Sequence, residues 1–143
     1  MPDRRRHRGK HPEDDSLFAA ERLPTLRLAV AEYSWLLTRD YARDASLKLV
    51  GDHYNLTVRQ RTAVQRSSCS DQDRATRAAR MVALCDVRGR ALGLDGYNVL
   101  ITLESALAGG VILAGRDGCY RDLASLHGTY RHVDETIPAL ELL

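Results

Sequence analysis

The sequence predicts an α+β or α/β protein: a basic helical module of about four helices, then a short strand-helix-strand segment with parallel strands. Three observations carry this. Apolar residues recur at helical spacing up to Val87, short apolar runs bounded by glycines replace that pattern from Ala91 onward, and the charge changes sign at the same place. Residues 1–90 hold 18 Lys and Arg against 12 Asp and Glu, a net of +6, whereas residues 91–143 hold three against seven, a net of −4. With 143 residues and 44% hydrophobic composition, the chain has material for one real core.

Residues 1–12, which include Arg4, Arg5, Arg6, His7 and Arg8, are basic and lack apolar periodicity. They read as a disordered arm able to contact nucleic acid electrostatically. Residues 13–90 form the helical module. Leu26, Val30, Tyr33 and Leu37 define one helix, and Tyr41, Ala45 and Leu49 a second that breaks over Gly51-Asp52-His53-Tyr54-Asn55. Thr57 caps a third helix, and Ser70 followed by Asp71, Gln72 and Asp73 starts a fourth. Arg88-Gly89-Arg90 marks the boundary.

Residues 91–143 read as a partial α/β segment. Ala91-Leu92-Gly93-Leu94 is predicted as a buried strand delivering Asp95 to a sheet edge. A helix capped by Asn98 and closed by Gly109-Gly110 follows, then a second strand over Val111-Ile112-Leu113-Ala114. Such a crossover is nearly always parallel and right-handed, which would bring Asp95 and Asp117 to one rim. A last helix starts at Thr136.

This layout sets the candidate chemistry. Asp95, Asp117 and Asp122 are the predicted catalytic acids and ligands of Mg²⁺ or Mn²⁺, which prefer carboxylate oxygen and water and activate water against phosphodiesters. Asp117-Gly118 equally suits a plain turn. Arg59, Arg61, Arg66, Arg74, Arg77 and Arg80 on the helices are the predicted nucleic-acid contacts, with Arg74, Arg77 and Arg80 at spacings of three; a solvated helix face has the same pattern. Arg116 and Arg121 beside the acids either grip a phosphate or pair with those acids. Glu104 reads as a surface glutamate or a further ligand, and His127 as a candidate for proton transfer. Three widely spaced cysteines, Cys69, Cys85 and Cys119, suit reduced thiols and a cytoplasmic address. No apolar run has the length of a membrane span.

Tyr33-Ser34-Trp35-Leu36-Leu37-Thr38-Arg39, Ala45 to Asp52 with Tyr54, Arg59-Gln60-Arg61, Asp95-Gly96-Tyr97-Asn98 and Arg116 to Asp122 together resemble an uncharacterised prokaryotic family, domain of unknown function (DUF) 434, joined to the beginning of its carboxy-terminal companion domain. Asp95-Gly96-Tyr97-Asn98 also resembles the first strand of the PIN and NYN nucleases, a fold that sets aspartates around divalent metal. Asp95 and Asn98 match that motif by position, while Asp117 and Asp122 rest on the predicted topology. A complete domain of that kind has further strands, so the resemblance implies a truncated or split member, or a homo-oligomer or partner chain completing the sheet. The expected function is nucleic-acid association, with RNA favoured, either as a divalent-metal-dependent nuclease or as a non-catalytic binding, assembly or regulatory module.

Overall fold

The computed structural model of the chain describes residues 6–124 and 130–143. Helix α1 (Asp14–Leu17) and a 3-10 turn (Ala20–Arg22) lead into α2 (Leu23–Thr38), α3 (Arg43–His53), α4 (Val58–Ser67) and α5 (Asp71–Ala79). The four expected helices are therefore α2 to α5. Leu26, Ala29, Tyr33 and Leu37 form the buried stripe of α2, and they pack on Val50 of α3, Leu56 and Val64 of α4. Two of these helices start as their sequences direct. Thr57 accepts from the Gln60 amide while Gln60 reaches back to the Thr57 amide, a complete capping box, and Ser70 accepts from the Asp73 amide at 3.0 Å.

Helix α3 continues through Gly51 to His53, so the break falls at the far end of the expected segment, at Asn55 with a φ of 50°. Gly51 is helical because it is buried against Arg61, whose guanidinium carbon would lie 2.6 Å from a Cβ at that position. The absent side chain makes room for that arginine.

After the short helix α6 (Leu84–Val87) the architecture departs from the expectation. Residues 91–95 have no regular structure, and Leu92 and Leu94 are exposed. A strand needs a neighbour for its amides and carbonyls, and this four-residue run interrupted by Gly93 has none. Helix α7 (Gly96–Leu107) forms, but it starts earlier than expected: Asp95 is its N-cap, and Asn98 stands inside the first turn instead of capping it. β1 (Ile112–Ala114) pairs with β2 (Tyr120–Asp122), and the pairing is antiparallel. The parallel crossover is thus corrected to a local hairpin. Its turn closes through Gly118 N–H donating to the Gly115 carbonyl at 2.9 Å, and Gly118 has a φ of 79°, which a side chain would disfavour. Closing a loop of a few residues costs less entropy than a long crossover.

Helix α8 (Thr136–Glu141) packs on α7. Leu100 and Ile101 of α7, with Leu123, Val133 and Ala139, are the buried apolar residues of this second part. Among the described residues no helix is long and apolar enough to cross a membrane.

Candidate functional site

The candidate residues separate into three groups by what their side chains touch. Asp117 sits in the β1–β2 turn, with its side chain buried. It accepts from Arg121 at 2.6 and 2.9 Å, from Arg77 at 2.7 Å and from the Cys119 amide at 3.1 Å. The Arg121 guanidinium, more than any other cause, holds its carboxyl well below the usual carboxylate range, against the opposing effect of burial. Every lone pair that a metal would need is already engaged.

The same logic runs through most of the predicted arginines. Arg59 of α4 pairs with the buried Asp14 and donates to the Leu123 carbonyl at 3.2 Å. Arg61 pairs with Asp52 at 2.8 Å, Arg66 donates to the Asp122 carbonyl at 2.6 Å, and Arg116 reaches Asp71 at 2.5 Å and the Cys69 carbonyl at 2.9 Å. With Arg77 and Arg121, six of the eight predicted phosphate contacts bind groups of their own chain. Opposite charges of the two halves meet where Arg66 of α4 and Arg77 of α5 bind Asp122 and Asp117 of the hairpin, while Arg59 ties α4 to Asp14 of the same half and to the Leu123 carbonyl just past β2.

Arg74 and Arg80 make the second group. Both are exposed, with no side-chain partner among the described residues. Arg88 and Arg90 share this state, although their sequence signal was a chain boundary. Four unneutralised guanidinium groups thus occupy residues 74–90.

The third group lines a cleft of about 740 Å³ between α7 and β2, walled by Arg66, Asn98, Thr102, Tyr120, Arg121 and Asp122. Asp95 stands at the N-terminus of α7 and accepts from the Asn98 amide nitrogen at 2.6 Å. The Thr102 hydroxyl lies 3.0 Å from the Asn98 carbonyl and 2.8 Å from an Asp122 carboxylate oxygen. Asp95, Asn98, Thr102 and Asp122 therefore form a polar line up the first two turns of α7. The rise from Asp95 to Thr102 is about 10 Å, whereas a Mg²⁺ ion binds its ligands at about 2.1 Å.

Among the described residues, no group of three or more His, Cys, Asp or Glu side chains gathers to hold a metal ion. Asp95, Asp117 and Asp122 are held by separate partners, so this arrangement does not fit the expected shared Mg²⁺ or Mn²⁺ site. His127 lies outside the described residues. Cys69 is buried, while Cys85 and Cys119 are exposed and free.

Glu104 is not the surface glutamate that its position suggested. It is fully buried in α7, paired with Arg8 at 2.5 Å and accepting from Tyr130 and Thr136 at 2.5 Å each. The arm delivers Arg8 there: the Arg6 carbonyl accepts from the Asp134 amide at 2.9 Å, and His7 meets Glu135 at 2.6 Å. Sequence spacing holds no signal for a partner 96 positions away.

Comparison with known proteins divides the chain between residues 80 and 84, ahead of the change of charge at residue 90. Residues 25–80 match the family described as "Protein of unknown function (DUF434)", and residues 84–143 match "Domain of unknown function (DUF5616)". Both segments are therefore similar to uncharacterised domain families. The chain is also similar to the uncharacterized protein MJ0935 of Methanocaldococcus jannaschii, 30% identical over 119 residues, which are 83% of this chain and 57% of that protein. The chain thus spans a little over half the length of this relative. No solved structure matches.

Proposed function

We propose that this chain is a nucleic-acid-associated module that contacts a phosphate backbone through Arg74, Arg80, Arg88 and Arg90. One observation carries the reading: these four exposed cations cluster within residues 74–90 and lack side-chain partners among the described residues, a state that Arg22 and Arg27 share only as isolated positions at the start of the helical module. Unpaired guanidinium groups clustered on one stretch of chain are what counterion release on a polyanion rewards. RNA is the favoured polyanion because of the Asp95-to-Asn98 resemblance to RNA-cleaving folds.

Four phosphate contacts on a single strand give log K a slope of about −3 against log salt. Fluorescence anisotropy with a labelled single-stranded RNA tests this. Replacing the four arginines by glutamine is expected to flatten the slope to near zero. A slope unchanged by the replacements would remove this segment from the interface.

A second reading, a nuclease using Mg²⁺ or Mn²⁺, rests on the resemblance of Asp95-Gly96-Tyr97-Asn98 to nuclease sequences and not on the geometry, which keeps Asp95, Asp117 and Asp122 on separate partners. Its test is cleavage of an end-labelled structured RNA with Mn²⁺, beside a chelator control and Asp95→Asn. Metal-dependent cutting lost in the variant supports it; no cutting by the folded chain leaves the binding module alone.

A further inference from the structure

We infer that the outer face of α2 and α3 is a self-complementary interface, occupied by a second copy of this chain. Helix α2 turns Leu28, Ala31, Glu32, Trp35 and Arg39 outward, at the spacing of one helical face. Trp35 is 52% exposed and Leu28 56%, and beside them Leu49 of α3 is 63% exposed. Between the helices runs a largely apolar groove of about 660 Å³, walled by Trp35, Leu36, Leu49, Val50 and His53 with Glu32 at its edge. The buried stripe of α2 already faces the core, so this second stripe answers to nothing inside the molecule.

Charge identifies the occupant. Glu32 lies three residues before Trp35, and Arg39 lies four residues after it. When two copies of α2 cross antiparallel about a two-fold axis between Trp35 and Leu36, positions equally far on either side of the axis meet. Each Glu32 then faces the other copy's Arg39, and two such pairs bracket an apolar centre built on Trp35, with Leu49 of α3 beside it and Leu28 extending the apolar surface one turn beyond Glu32. The two charged groups are also held in readiness. The Tyr54 hydroxyl donates to one Glu32 oxygen at 2.8 Å and leaves the other available, and the Arg39 guanidinium stacks 3.6 Å from the Trp35 ring centroid with its Nη1 donating to the Trp35 carbonyl at 3.4 Å, which leaves its remaining N–H groups for a carboxylate. A surface with one acid and one base symmetric about an aromatic residue fits its own copy better than it fits a polyanion, which Glu32 would repel. This interface is independent of residues 74–90 and of the proposed nucleic-acid contact.

Light scattering on the purified full chain at about 100 µM, a concentration that populates any dimer of micromolar Kd, is expected to return twice the 16.0 kDa of one chain. Trp35 is the sole tryptophan, so its emission should shift to shorter wavelength as concentration rises. Glu32→Arg alone and Arg39→Glu alone should each weaken the dimer about tenfold or more, and the double exchange E32R/R39E should restore it, which a merely misfolded variant would not do. A 16.0 kDa species at that concentration overturns the proposal and leaves the groove to a different protein. A dimer indifferent to the single changes, or a double exchange that stays monomeric, overturns it as well.

Discussion

Asp117 shows how a single side chain couples two parts of this molecule. Two guanidinium groups and one amide converge on a carboxylate withdrawn from water, so the hairpin turn and α5 are joined through one residue. Asp117→Asn leaves both arginines short of their counter-charge and is expected to cost about 3 kcal/mol, read as a lower urea midpoint. The acid dependence follows from the direction of its shift. A carboxyl held below its ordinary value in the fold stabilises above the unfolded pKa near 4 and loses that contribution as pH falls toward the folded value. Asp14 shifts the same way: burial is the largest single cause and opposes the shift, but the Arg59 hydrogen bonds, the His11 amide and the charges of Arg59 and His11 together outweigh it. Thermal midpoints should therefore drop as pH is lowered from 4 to about 2, and Asp117→Asn should flatten that limb. A limb of equal steepness in the variant would assign the acid sensitivity elsewhere.

At the scale of elements, α2 to α5 were legible because their signals are local: an apolar stripe within α2, and caps at Thr57 and Ser70 within a turn of the helices they start. Thr57→Ala is expected to destabilise the chain by about 1 kcal/mol, checked by denaturant titration. The strands were not legible in the same way. A three-residue run such as Ile112–Ala114 carries no record of whether its neighbour runs parallel or antiparallel, and the deciding feature was the tight turn at Gly118. Gly115 completes that turn: a Cβ there would meet the Arg121 guanidinium and lie 2.7 Å from an Asp117 carboxylate oxygen. Both atoms are fixed by their mutual pairing. Gly115→Ala should consequently cost about 1–3 kcal/mol, and a neutral effect on the melting midpoint would mean that the clamp yields freely.

For the whole molecule, the charge asymmetry was plain in the sequence and its purpose was not. Composition counts cations without saying which of them find a carboxylate in the same chain, and Arg59, Arg66 and Arg77 find theirs 40 or more positions away. The arm teaches the same lesson from the other side, because Arg8 neutralises the buried Glu104. Arg8→Ala is expected to cost about 3–5 kcal/mol by stranding that carboxylate. Restoring a neutral pair with Glu104→Gln should recover part of the loss, as measured by thermal unfolding.

The central claim is that the arginines divide into internal ties and free contacts. Salt-dependent RNA binding and thermal unfolding, measured together on two sets of variants, test that division most directly. Replacing Arg74, Arg80, Arg88 and Arg90 by glutamine should flatten the salt slope and leave the melting midpoint nearly unchanged, whereas Arg59→Gln and Arg77→Gln should lower the midpoint and leave the slope intact. The opposite pattern, with the slope carried by Arg59 and Arg77 and stability by the exposed four, would contradict the account.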